Sequence, residues 1–482
     1  MTAATPSDGA RPERLGTLRS IVHVFTSHRT AAVALQSFFS GMPLGLIWIA
    51  IPAWLAQAGV DIKTIGILTL AQTPWTFKFL WSPLMDRYTP PLMGRKRGWV
   101  VIAQIALLVL ILVLAAAAVS PERGWAGLPW VWVVGVLALT IAFASTVQDI
   151  AMDAYAVEIL LPEEQGAAVG ARVAFYRAAM YIAGALAITV AASWSWSVTL
   201  AVLGVTFIPG IAITIWSPEV ESPPPAPASL RAAVWEPLVE LLARNRALEI
   251  AAFLFLYKFG DNIAQALLRP FLVQHGYGAV DVGIATGTIG LVFTLGGTFI
   301  GGLITTRIGL GHALWIFGFL QAISNLGYVW IASIPVSSPS MYVAMGFETF
   351  TQGLGTGAFG VLLLRLTEKR FSATQYALLS SIFALGRVLT GPIAGFLVDA
   401  MGWRLFFILT IPASAPGLLF LQRFVPLGSA EPVIAPEKRP ERPPAGRAVL
   451  IRRGVAGLLG GLLVAALVAG SLQAVKDYRS QP

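Results

Sequence analysis

The chain has 482 residues, 56% of them hydrophobic and only 12% charged, with a mean hydropathy of +0.74. That is more apolar surface than a soluble core of this length hides, so the sequence reads as an all-α polytopic membrane protein. The formal charge of +9 does not point to nucleic acid, because the basic residues lie in short connections between apolar runs, and the absence of cysteine removes disulfides, a thiolate nucleophile and cysteine metal ligands.

Residues 1–29 are polar, carry Arg11, Arg14, Arg19 and Arg29, and lack an apolar stretch ending in a small-residue cleavage site. They are expected to be a mature cytoplasmic segment. Apolar windows of about twenty residues predict helices near 31–58, 64–85, 98–119, 129–160, 166–192 and 196–216, an N-terminal half within 30–216. Residues 217–246 form a cytoplasmic linker: the prolines between Ser217 and Pro227 cannot continue a helix. From Leu230 to Asn245, Val234, Trp235, Leu238, Leu241 and Leu242 share a face that excludes Arg231, Glu240 and Arg244. That pattern describes either an amphipathic helix on the membrane surface or a plain spacer.

A second six helices are predicted near 247–274, 280–306, 310–333, 340–364, 374–400 and 402–422, a C-terminal half within 247–422. Residues 423–453 are a Pro-rich linker, and 454–482 hold an extra apolar helix near 454–472 with a short tail. The even-numbered connections hold Arg87, Arg95, Lys96, Arg97, Arg231, Arg244, Arg246, Arg307, Arg365, Lys369 and Arg370, whereas the odd ones hold little beyond Lys63, Arg123 and Arg404. Positive charge retained inside places the even connections in the cytoplasm. The segments LPEEQGAAVGARVAFYRAAMYIAG and TEKRFSATQYALLSSIFALGRVLTGPIAG repeat one plan, a polar turn leading into a small-residue helix with Arg177 or Arg387 well inside it. Two related six-helix halves suit alternating access.

Six charges interrupt the apolar runs: Lys78, Asp149, Arg177, Lys258, Asp261 and Arg387. Each costs about 2.5 to 3.5 kcal/mol at bilayer depth, so they are expected to serve one another or a solute. Counting about 1.5 Å per residue through a core of about 30 Å places Arg177, Lys258, Asp261 and Arg387 near mid-depth. Lys78 and Asp149 fall nearer the cytoplasm. Asp149 and Asp153 are one turn apart on a shared face, where two carboxylates repel and one of them gains proton affinity. Asp149 and Asp153, with Lys78 and Arg177, are therefore the proton-coupling candidates; the competing reading is a permanent ion pair that only joins helices. Lys258, Asp261 and Arg387 are solute-binding candidates, the two cations for anionic groups, although Lys258 and Asp261 also neutralise one another three residues apart. Gln148 and Gln375 are candidates for sugar hydroxyl and acetamido groups, or for helix-helix hydrogen bonds. Asp86, Arg87, Arg95, Lys96 and Arg97 form either a cytoplasmic gate or only a topology signal. Trp48, Trp54, Trp75 and Trp81 are either sugar platforms or interfacial anchors. No intramembrane histidine, metal-ligand spacing or phosphate loop supports an enzyme, a metal site or direct nucleotide coupling.

The loop WSPLMDRYTPPLMGRKRG is a variant of the acidic-basic signature of the major facilitator superfamily, with TPPLM inserted between its two parts. With FKFLWSPLMDRYTPP, ASTVQDIAMDA, LYKFGD and FSATQYALL it resembles the AmpG-type muropeptide permeases across residues 30 to 422. That resemblance implies import of N-acetylglucosaminyl-anhydromuramyl peptides across a bacterial inner membrane, driven by the proton gradient with no other cofactor. Another sugar conjugate, or an acyl-CoA, is the alternative cargo.

Overall fold

Backbone N–H and C=O groups in hydrocarbon find no water, so a chain this apolar crosses the membrane as helices that satisfy themselves internally. The computed structural model describes residues 27–432 except 92, 120–128, 222 and 245, and Arg452 beyond them; the extra helix expected near 454–472 lies outside the described residues. The chain divides into two units, 1–434 and 435–482.

Among its described residues there is no strand. The helices are α1 (His28–Gln57), α2 (62–87), α3 (Arg95–Ala117), α4 (Trp130–Ile159), α5 (Gln165–Ser193) and α6 (Trp196–Trp216), then the linker helix α7 (Leu230–Ala243). They continue as α8 (247–275), α9 (Val280–Ile308), α10 (Leu310–Ile331), α11 (Ser338–Leu366), α12 (372–401) and α13 (403–424). Ser229 caps α7, accepting from the Ala232 amide at 3.1 Å. Gly402, at φ +76°, separates α12 from α13, a left-handed turn that a side chain would strain. Among the described residues eight helices are long and apolar enough to cross a bilayer unaided.

Two of the expected continuous helices are broken. In α2, Pro74 and Pro83 cannot donate to the carbonyls of Leu70 and Phe79. The residue before each proline supplies a hydroxyl instead: Thr73 Oγ1 donates to Leu70 O at 2.5 Å, and Ser82 Oγ to Phe79 O at 3.1 Å. Helix α8 leaves helical geometry at Lys258 and again at Leu267, the second break lying just ahead of Pro270.

The packing divides into ends. One apolar cluster (Leu46, Leu107, Ile141, Leu200, Phe207) belongs to α1–α6 alone, and another (Phe271, Tyr328, Met341, Phe406) to α8–α13 alone. At the end carrying the basic connections, clusters run across both halves: Val33 and Tyr155 join Phe253, Leu314 and Leu362, while Met85, Ile150 and Met152 join Ala373. Helices α5 and α9 cross there backbone to backbone, Gly166 and Gly170 against Gly302 and Phe299, so closely that a Cβ on Gly302 would meet the Gly166 carbonyl. The halves are clasped at the basic end, while the opposite end holds one separate core in each half.

Candidate functional site: charges meeting between the halves

The clasp consists of side chains from α2, α3 and α4 on the first turn of α12. Asp86, fully buried, accepts from the amides of Ala373 (3.2 Å) and Thr374 (2.8 Å) and from Thr374 Oγ1 (2.8 Å). A carboxylate there meets unpaired N–H groups and the positive end of the helix. Lys96 holds Asp86 from within its own half at 2.6 Å. Glu158 accepts from Arg95 at 3.1 Å and from Ser372 Oγ at 2.6 Å, a second bridge between halves. Arg97 donates to the Thr214 and Ile215 carbonyls at the end of α6, and Arg87 lies over the Tyr88 ring. Of the five residues expected to form a gate, Asp86, Arg95 and Lys96 stand in this network, whereas Arg87 and Arg97 stand beside it. Glu158 and the start of α12 were missed, since no sequence spacing links positions more than 200 apart.

Above the clasp, α4 presents the expected pair of carboxylates, each with partners of its own. Asp153, not Asp149, takes Lys78, at 3.1 Å, and Arg172 also bonds it directly. Both cations flank the Tyr376 ring of α12 at 5.8 Å from its centroid. Asp149 instead accepts from Ser40 Oγ of α1 and from Trp75 Nε1 of α2 at 3.1 Å. Arg172 went unnoticed because it reads as part of the polar turn entering α5. Gln148 is fully buried, with only Met152 Sδ near its amide nitrogen, inside the N-terminal half.

Arg177, about midway along α5, and Arg387, about midway along α12, are both exposed and lie within electrostatic reach of each other. Tyr176 lies within reach of both, and of Asp149. The Arg387 guanidinium stands 5.8 Å from the Trp48 ring centroid, and Trp48 meets Trp75 edge-on at 6.3 Å. Two cations, one from each half, thus lie close to the Trp48 indole of the N-terminal half, which connects through Trp75 to Asp149. Trp54, packed on Trp130 and Trp196, and Trp81, packed on Phe143, serve the packing of the N-terminal half.

In the C-terminal half Lys258, at the first break of α8, donates to the Gln352 carbonyl (2.9 Å) and Thr356 Oγ1 (2.6 Å) of α11, within electrostatic reach of Arg177, Asp261 and Glu348. Asp261 is 2% exposed and makes no hydrogen bond to Lys258. Glu348 is 1% exposed and accepts from Gln265 Nε2 at 2.7 Å. A single acid inside an otherwise apolar window was the signal that could have found it. Gln375, expected near a solute, is at the basic end: its oxygen accepts from Arg244 (3.2 Å) and from the Glu368 amide (2.8 Å), tying the linker to the start of α12.

Two helical halves clasped at one end, with buried and partly buried charges of both meeting between them, have the architecture of a membrane carrier of small solutes. The chain matches the Major Facilitator Superfamily over residues 33–386 and belongs to that family. It is 41% identical over 403 residues to the anhydromuropeptide permease of Escherichia coli K12, covering 83% of this chain and 80% of that one. Among solved structures, a bacterial homologue of the iron transporter ferroportin in an outward-facing state aligns with TM-score 0.59 at 16% identity, over 82% of this chain and 98% of the other. The proton:xylose symporter XylE aligns with TM-score 0.59 at 14% identity, over 86% and 98%. These two likenesses show the fold alone.

Proposed function

We propose that this carrier imports anhydro-muropeptides across a bacterial inner membrane by proton symport and alternating access. The observation that carries the reading is the meeting of Arg177 and Arg387 with Trp48 between the halves, with Lys258 behind Arg177. Cations recognise the carboxylates of a peptide stem, and an indole face suits a sugar ring. The 41% identity to a permease of that description supports the same cargo. The basic end is assigned to the cytoplasm by its excess of Lys and Arg, with the N-terminus on the same side, so the clasped arrangement opens outward. Asp149 is the N-terminal proton site in this reading: loading it weakens its hold on Ser40 and Trp75, and Trp75 passes that change to Trp48 beside the solute. Lys78, Arg172 and Asp153 fix α2, α4 and α5 around it.

The test is uptake of labelled anhydro-muropeptide into proteoliposomes under an imposed pH gradient, with free sugars and acetyl-CoA as competitors. Accumulation blocked by unlabelled muropeptide and indifferent to acetyl-CoA is the expected result. Displacement by acetyl-CoA would move the assignment to an acyl-CoA carrier.

A further inference from the structure

The N-terminal carboxylates have donors close at hand, two cations on Asp153 and a hydroxyl and an indole on Asp149. In the C-terminal half, of the four carboxylate oxygens only Glu348 Oε2 accepts a hydrogen bond among the described residues, from Gln265. Both oxygens of Asp261, and Oε1 of Glu348, lie buried with no hydrogen-bond donor among the described residues. The Asn325 side chain, fully buried on α10, lies beside Asp261 as the neutral amide nearest to that carboxylate's charge. Lys258 is the cation within reach of both acids, yet its ammonium hydrogen bonds run to Gln352 O and Thr356 Oγ1. Tyr257 faces Asp261, Tyr328 faces both acids, and Arg177 of α5 stands beyond Lys258 with Arg387 of α12 behind it. Two buried acids therefore share one ammonium, leaving one negative charge that only a proton removes without moving the helices.

A route to that pair is also present. A hollow between α8, α9 and α11 is lined by Gln265, Arg269, Thr286 and Thr349, toward the end opposite the clasp. Gln265 forms both its wall and the hydrogen bond to Glu348. The same Gln265 nitrogen donates to Tyr328 Oη at 2.8 Å, so the hollow, the glutamate and the buried tyrosine are joined through one amide.

We infer that Asp261 and Glu348 form a second proton-binding site, in the C-terminal half, loaded from the hollow beside Gln265 and read out through Lys258. The inference rests on the carrier function proposed above and changes the role of Asp261 from solute ligand to proton carrier. When the pair holds a proton, one carboxylate instead of two attracts Lys258, so the ammonium is held less strongly by the pair and draws an anionic solute toward Arg177. When the proton leaves, the ammonium is recaptured by the pair and the solute loses a partner. Proton and anionic solute are thereby bound together and released together.

Two measurements on the full chain test this. In the detergent-solubilised protein, the infrared pH-difference spectrum of the wild type should contain the C=O stretch of a protonated carboxyl that is lost in Glu348→Gln and altered in Asp261→Asn. A spectrum unchanged in both variants overturns the inference, whatever the protein transports. In proteoliposomes, Glu348→Gln should keep solute exchange at equal pH but lose gradient-driven accumulation, about tenfold for one proton per unit of pH difference, and Glu348→Asp should restore it. Accumulation by Glu348→Gln equal to wild type refutes the site, and loss of exchange as well as accumulation assigns Glu348 a structural role instead. If the wild type takes up no muropeptide, the transport reading fails while the infrared result still decides the proton site.

Discussion

Replacing Asp86 by Asn should open the clasp. Two kinds of bond end on this carboxylate, and only one bears on the balance between clasped and open states. The 2.6 Å bond from Lys96 lies within one half and persists when the halves separate. The bonds from Ala373 N, Thr374 N and Thr374 Oγ1 cross between halves and exist only in the clasped state. A hydrogen bond to a charged group contributes about 1.5 to 3 kcal/mol. Asparagine keeps one acceptor for this helix end but turns an NH2 toward the other donors, so the clasped state should lose about 2 to 3 kcal/mol in all, a change of about 30- to 150-fold in the equilibrium. The natural chain has no cysteine, so a single thiol introduced as Ala373→Cys, buried at the junction, reports opening without background. Labelling by an impermeant maleimide from the basic face should accelerate by that factor in Asp86→Asn. An unchanged rate in a folded variant would refute the assignment of Asp86 as the main cross-half latch.

Asp153→Asn leaves Lys78 and Arg172 without their carboxylate and should lower the melting temperature markedly, since breaking a buried pair costs about 3 to 5 kcal/mol. Asp149→Asn retains an acceptor for Ser40 or Trp75; it should melt near wild type yet lose gradient-driven uptake, and undiminished uptake would remove Asp149 from proton coupling. Gly302→Val drives a branched side chain into the α5 backbone, so overpacking of about 1 to 3 kcal/mol should disfavour the clasped state and raise Ala373→Cys labelling much as Asp86→Asn does. At the linker, Glu368 shares a hydrogen bond with Glu240, which together with partial burial raises its proton affinity to a pKa of about 7 despite Arg244 and Arg370 nearby. A carboxyl whose folded pKa exceeds the ordinary 4.5 contributes stability below that value and loses it as pH rises to about 7. The protection factor of α7, which corrects for the intrinsic pH dependence of amide exchange, should therefore fall between about pH 5 and 7, and Glu368→Gln should abolish the fall.

Helix spans were legible because a membrane demands about twenty apolar residues in a row, a signal that survives without tertiary information. The bounds of α6 coincide with the expected 196–216, and those of the other membrane-spanning helices fall within three residues of expectation. Breaks within spans were not legible at Lys258, where the chain bends with no proline to announce it. Position along a helix gives depth but not which neighbour a side chain meets. That is why the shared face of Asp149 and Asp153 was legible, while which of them Lys78 bonds directly was not. Arg172 and Glu348 needed only stricter use of the same rule, that every charge inside an apolar run has a reason. Gln375 sits three residues past the start of α12, so its distance from mid-depth was readable, whereas its partner Arg244, on the linker, was not.

The proposed function requires ionised groups from both halves to couple the entry of a solute to that of protons. Adding anhydro-muropeptide outside proteoliposomes with equal pH on both faces tests it most directly, by recording the external pH as the solute enters. Alkalinisation outside that follows solute entry, and stops in Asp149→Asn, is the expected result. Solute entry with no movement of protons would contradict the account.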